Sequence, residues 1–153
     1  MKWVQSDLLQ YKSAKEYVDT LLIPLIPFQL SSDRTFEKDA FQKETMNLLV
    51  QEVERGLKGR IFLTPGYYYL PSKELDHDEV PRLNRWIQNC EAQPFEYPFL
   101  ITFDATWKKF ENDLDGTLLW LPGLDSGNLN SEEMQSVVKG QAKQIIELIR
   151  TYW

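Results

Sequence analysis

Apolar and polar positions along this chain fall into blocks that alternate between two kinds of pattern. One kind is an unbroken apolar run, which is typical of a strand covered on both faces, as in a parallel sheet. Four such runs predict strands at residues 20–25, 60–64, 98–103 and 117–121. The tyrosines at residues 67–69 follow Pro65-Gly66 and are predicted to form an aromatic loop.

The second kind of block has apolar residues every three or four positions, which predicts helices. We expect a first helix capped by Ser6, a second over residues 36–57 and a third beginning near Pro81. A last helix follows Asn130, which forms a capping-box pattern with Glu133. Between the third and fourth strands, a short helix is expected with Asp104 as its N-cap.

Strands that alternate with helices predict βαβ units with right-handed crossovers. The fold class is therefore α/β: one three-layer αβα domain over residues 1–153, with a mainly parallel sheet of at least four strands, flavodoxin-like or Rossmann-like. Pro24 is awkward in the first run because proline removes a hydrogen bond from the sheet. We expect it at the carboxyl end of that strand or at a bulge.

Charge and cysteine content narrow the class of protein. With 17 basic and 23 acidic residues the net charge is -6, so a nucleic-acid partner is not expected. The single cysteine, Cys90, cannot form an internal disulfide, which favours a reducing compartment. No signal-peptide core or membrane-length apolar run is visible. We expect a cytoplasmic protein without membrane insertion.

Neither a metal nor a cofactor is expected. The only histidine, His77, lies in the acidic stretch at residues 76–79, far along the chain from Cys90. Zinc sites usually need three or four converging ligands, so this stretch is interpreted as a solvated loop. Gly123 and Gly127 lack the third glycine of a dinucleotide-binding fingerprint.

One region can hold a ligand site. In open α/β sheets, ligands bind outside the carboxyl ends of the strands, near the point where strand order reverses. The candidate ligand-binding residues at those ends are Asp104, Tyr67, Asp125, Ser126 and Asn128. Asp104 supplies a carboxylate, Tyr67 a ring face, and the residues before the last helix supply hydrogen bonds. The alternative is that Pro-Gly and Asp-Ser-Gly-Asn are turn sequences and nothing more.

Two functions remain open. The first is a protein-binding or accessory domain without catalytic activity, favoured by the absence of a convergent acid, base and nucleophile set. The second is an enzyme or binder that acts on a nucleotide- or nucleoside-like ligand at the strand ends, favoured by analogy of fold. A flat or filled strand edge favours the first function. A deep crevice with several polar groups favours the second.

Scattered segments of the chain resemble a known family. They are KWV at residues 2–4, KEYVDTLLIPL at residues 15–25 and FLTP at residues 62–65. Together they are similar to the YpiF-like family, a group of uncharacterised proteins from spore-forming Gram-positive bacteria. The resemblance covers the whole chain and implies a small cytoplasmic protein with no assigned activity. It carries over no catalytic residue.

Overall fold

The unbroken apolar runs form strands that pair in parallel throughout. The computed structural model describes residues 1–72 and 75–153 of the chain. Its strands are Thr20–Pro27 (β1), Ile61–Leu63 (β2), Tyr67–Tyr69 (β3), Tyr97–Thr102 (β4) and Thr117–Trp120 (β5). Their order is β2–β1–β4–β5, with β3 paired to β1 beyond the end of β2, and every pair is parallel. The predicted parallel α/β sheet is confirmed.

The periodic segments form helices. They are Gln5–Ala14 (α1), Phe36–Gly56 (α2), Glu79–Cys90 (α3) and Glu132–Arg150 (α4), with short 3-10 helices at Lys15–Tyr17 and Ala105–Asp113. In the part of the chain that the structure describes, no helix has the length and apolarity needed to cross a bilayer.

The helix caps correct two expectations and confirm one. α1 begins at Gln5 without a side-chain cap, so Ser6 lies inside the helix. α4 is capped by Ser131 rather than Asn130, because the Ser131 hydroxyl accepts a hydrogen bond from the Met134 amide. Asp104 caps the second 3-10 helix as predicted, accepting from the amide of Thr106.

Helices cover both faces of the sheet, so the three-layer αβα arrangement is confirmed. Alternate side chains of a strand point to opposite faces. Leu21, Ile23 and Leu25 of β1 accordingly pack in the core under α1 and α3. Leu22 packs in a second core under α2 and α4.

Pro24 lies in the middle of β1 and interrupts the pairing along one edge of this strand. Two short strands, β2 and β3, therefore pair with that edge, one before the proline and one after it. Thr20 and Leu22 direct their backbone groups toward β2: Thr20 donates to the Arg60 carbonyl, and Leu22 accepts from the Thr64 amide. Position 24 faces the same side but has no N–H to offer. Pairing stops at Leu22 and resumes at Leu25. The residues at 67–69 are therefore a strand, β3, and not the predicted loop, and β1 continues past the proline.

Candidate functional site

The strand order places a reversal between β1 and β4. The chain passes from β1 through α2 to β2 on one side of β1, and then through α3 to β4 on the other side. If β2 and β3 count as one interrupted strand, the order is second–first–third–fourth, as in a flavodoxin-like sheet. Ligands of such sheets bind where the carboxyl ends of the two diverging strands leave a gap.

A crevice occupies this position. Its volume is about 530 Å³, and we call it the switch-point crevice. It lies between the loop after β1, the first turns of α2 and the segment after β4. Its lining residues are Pro27, Gln29, Ser31, Ser32, Thr35, Lys38, Asp39, Gln42, Pro71, Ser72, Phe103, Asp104 and Ala105.

Gln29 organises one wall of the crevice. Its amide nitrogen donates to the Ser32 carbonyl at 3.0 Å, to the Thr35 hydroxyl at 3.1 Å and to the Asp39 carboxylate at 3.3 Å. Its amide oxygen accepts from the hydroxyl of Ser31 and the backbone amide of Ser32. One side chain thus holds the β1–α2 loop in a fixed shape against the start of α2.

Asp104 forms the opposite wall and is already satisfied by the protein. One carboxylate oxygen accepts from the Tyr69 hydroxyl at 2.6 Å. The other accepts from the amide and the hydroxyl of Thr106, at 3.0 and 2.7 Å. Burial raises the pKa of the Tyr69 phenol well above its usual range, and the charge of Asp104 and the hydrogen bond from Tyr69 to Asp104 add to this effect. Tyr69 therefore stays protonated and keeps donating to the carboxylate.

The charges around the crevice do not favour an anion. Lys38 is the one basic residue among the described residues that line the crevice, and its ammonium lies 3.4 Å from the carboxylate of Asp125. Asp39 and Asp104 add two negative charges to the same lining. Within residues 1–72 and 75–153, no three His, Cys, Asp or Glu side chains are grouped so as to hold a metal ion.

Tyr67 lies away from the crevice, contrary to the role expected for its ring. Its side chain is fully buried. Trp86 contacts the ring edge-on at 5.1 Å, and the Arg82 guanidinium lies 4.5 Å from its centroid. The phenol donates to Glu79, and burial together with that carboxylate raises its pKa above the usual range. No ring face of Tyr67 is open to a ligand, whereas its neighbour Tyr68 is 45% exposed.

The three candidates before α4 have different surroundings. Asp125 borders the crevice indirectly, through its ion pair with Lys38. Ser126 is exposed and does not line the crevice. Asn128 accepts at its side-chain oxygen from the Asn130 amide and at its carbonyl from Ser131. These bonds are turn and cap chemistry, which was the alternative interpretation of this segment.

Several crevice residues were not among the sequence-derived candidates. They come from the β1–α2 loop and from α2, and include Gln29, Thr35, Lys38 and Gln42. The signal for Gln29 was present, since it follows a predicted strand end. No local pattern marked the residues of α2, because their place beside Asp104 depends on β1 and β4 being neighbours.

Comparison with known proteins assigns the chain to a family without an established activity. Residues 9–153 match the family described as "Protein of unknown function (DUF2487)". The chain is 28% identical over 153 residues to the uncharacterized protein YpiF of Bacillus subtilis strain 168, covering 100% of this chain and 98% of that protein. No solved structure matches it significantly. The resemblance found in the sequence is confirmed, and the chain belongs to the DUF2487 family.

Proposed function

We propose that this domain binds a small, uncharged ligand of nucleoside type in the switch-point crevice. The observation that carries the proposal is a polar crevice at the point where the strand order reverses. Its volume of about 530 Å³ lies within the range of small-molecule sites, roughly 300–1,000 Å³. The volume of the crevice and its several polar lining groups favour ligand binding over an accessory surface.

The lining supports a ligand that has both a ring and hydrogen-bonding groups. Phe103 and Pro27 offer apolar walls against which a flat ring can pack. Amide and hydroxyl groups, such as those of Gln42 and Thr35, serve as donors and acceptors for neutral polar groups. Among the described residues, the lining carries one lysine against two aspartates, so it offers no surplus of positive charge for a phosphate. A nucleoside is therefore favoured over a nucleotide.

The proposal assigns binding and no reaction. His77 and Cys90, the only histidine and the only cysteine of the chain, do not line the crevice. The Asp104 carboxylate is engaged by Tyr69 and Thr106. A general base needs a lone pair directed at the substrate, and both oxygens of this aspartate already accept hydrogen bonds from the protein.

Filling the crevice is expected to abolish ligand binding. Ala105 is exposed and lines the crevice, so the indole of Ala105→Trp competes for the ligand's space. In calorimetric titrations with adenosine and uridine, we expect the parent to bind at least one nucleoside and Ala105→Trp to bind neither. Ala92→Trp, the same exchange at an exposed position after α3, should bind like the parent. No binding to the parent at millimolar nucleoside, or equal binding to Ala105→Trp, contradicts the proposal.

A second candidate function, docking of a partner protein, is favoured by a patch beside the crevice. Large apolar side chains there are exposed to solvent: Phe28 by 52%, Leu30 by 78%, Tyr68 by 45% and Leu70 by 70%. Clustered exposed apolar residues are characteristic of protein interaction sites. They lie on the loop after β1 and on and after β3, which leave the sheet side by side.

A charge in this patch should prevent docking. Proteins crosslinked to the parent in cell extract are compared with those crosslinked to Leu30→Asp and to Leu9→Asp, which alters a leucine of α1 that is 63% exposed. We expect at least one partner to persist with Leu9→Asp and to disappear with Leu30→Asp, because burying the new charge in an interface is unfavourable. Identical partner sets for the two variants argue against docking at this patch.

A further inference from the structure

A second cavity, unrelated to the switch-point crevice, opens between α1 and α3 above β2. Its volume is about 810 Å³, and we call it the α1–α3 groove. It shares no lining residue with the crevice. Its floor reaches Leu21 of β1, which is 1% exposed, so the groove penetrates to the central strand of the sheet.

Five aromatic side chains line the groove: Trp3, Tyr11, Phe62, Trp86 and Phe95. The ring of Tyr11 lies 5.4 Å from that of Phe62 and 6.2 Å from that of Phe95, and the last two rings are 6.0 Å apart. Trp86 lines the side formed by α3, and Trp3, 62% exposed, lines the rim. A concave apolar surface of this size is characteristic of a site for a ligand with an apolar body.

The charged residues of the groove are both positive. Lys12 and Lys15 line it, and no aspartate or glutamate among the described residues does. Neither lysine forms an ion pair within the described residues. This is unusual in a chain whose net charge is -6. Two uncompensated ammonium groups beside an apolar groove complement a ligand with a negative head and an apolar tail.

We propose that the α1–α3 groove binds a free amphipathic anion of the medium-chain carboxylate class. The alkyl chain lies along Phe62 and Trp86 above Leu21, and the carboxylate lies near Lys12 and Lys15. The depth of the groove distinguishes a free ligand from a membrane surface. In a bilayer the head groups face the protein and the chains stay inside, so a chain does not reach the floor of a concave site. This inference is independent of the proposed nucleoside site.

The chemistry of the ligand can be tested on the unchanged protein. Calorimetric titrations use decanoate below its micelle concentration, octanoate and decanol. We expect octanoate to bind about 15-fold more weakly than decanoate, since each buried methylene contributes about 0.8 kcal/mol. Decanol, which lacks the charge, should bind about fivefold more weakly. No binding of decanoate, or equal affinities across the series, overturns the proposal.

Variants then locate the site. Lys12→Gln/Lys15→Gln should bind decanoate about fivefold more weakly and decanol unchanged. Lys58→Gln/Lys143→Gln, which removes two exposed lysines elsewhere, should leave both affinities unchanged. Ala92 is exposed and lines the groove, so Ala92→Trp should abolish binding of both ligands, while Ala105→Trp should not. If Ala92→Trp binds decanoate with the affinity of the parent, the assignment to this groove is overturned.

Cys90 supplies a readout at the groove itself. It is the only cysteine of the chain, is partly buried and lines the groove, and burial raises the pKa of its thiol. We expect decanoate to slow alkylation of Cys90 by iodoacetamide in the parent, and to slow it less at the same concentration in Lys12→Gln/Lys15→Gln. The proposal would be overturned in favour of a membrane surface if the protein sediments with phosphatidylglycerol vesicles and free decanoate does not protect Cys90 from alkylation.

Discussion

Replacing Trp107 by alanine is expected to lower the free energy of unfolding by about 3–5 kcal/mol. The side chain is completely buried in the core beneath α1 and α3. Its ring contacts Tyr69 edge-on at 5.1 Å and Tyr67 at 6.5 Å. Alanine would leave a cavity between two aromatic side chains that the surrounding strands cannot close. Urea unfolding followed by circular dichroism measures the loss.

Phenylalanine at the same position separates packing from polarity. The buried indole Nε1–H of Trp107 makes no well-formed hydrogen bond among the described residues, although it lies close enough to the Tyr69 hydroxyl to affect the pKa of that phenol. An unpaired buried donor is unfavourable by about 1–3 kcal/mol, and Trp107→Phe removes it together with some volume. We expect the two effects largely to cancel, leaving Trp107→Phe within about 1.5 kcal/mol of the parent. If Trp107→Phe is as unstable as Trp107→Ala, the indole nitrogen has a stabilising partner and the argument fails.

Replacing Asp104 by alanine is expected to lower the free energy of unfolding by about 2–4 kcal/mol. Two losses add. The 3-10 helix loses its cap, which contributes about 1 kcal/mol. The hydroxyl of Tyr69, whose side chain is 3% exposed, loses its acceptor, and an orphaned buried donor costs about 1–3 kcal/mol. Thermal and urea unfolding of the variant measure the sum.

A double-mutant cycle with Tyr69→Phe identifies the larger of these losses. In the parent, Tyr69→Phe removes one partner of a charge-assisted hydrogen bond. In the Asp104→Ala background, the same change removes a hydroxyl that has already lost its carboxylate acceptor. We expect a coupling energy of about 1.5–3 kcal/mol between the two positions. A total loss near 1 kcal/mol with no coupling would mean that Asp104 acts as a local cap alone.

Ligand binding separates the structural role of Asp104 from a functional one. Both of its carboxylate oxygens are held by Tyr69 and Thr106, although the residue lines the switch-point crevice. Asp104→Ala should therefore reduce stability more than it reduces nucleoside binding, provided that binding is measured well below the melting temperature. Abolished binding in a folded Asp104→Ala variant would instead make Asp104 a direct ligand contact.

The sequence by itself determined the local elements and the class of fold. Helical spacing and unbroken apolar runs are short-range patterns, since they depend on residues a few positions apart. They placed α2 and the main body of β1, β4 and β5 correctly. The cap formed by Asp104 was predictable for the same reason, because its acceptor and the Thr106 amide are two residues apart. Its bond to Tyr69 spans 35 residues and left no local signal.

The tertiary structure alone decided which residues the crevice brings together and which of the three tyrosines at residues 67–69 are buried. Residues 67–69 are three identical side chains, so their sequence cannot say which of them faces the core. The register with β1, in which Leu25 pairs with Tyr67, buries the first and third and exposes Tyr68. Likewise, Gln29 and Asp104 border one crevice because β1 and β4 are neighbours. Pairing between distant strands is set by how whole faces pack, a property that no short segment of the chain contains.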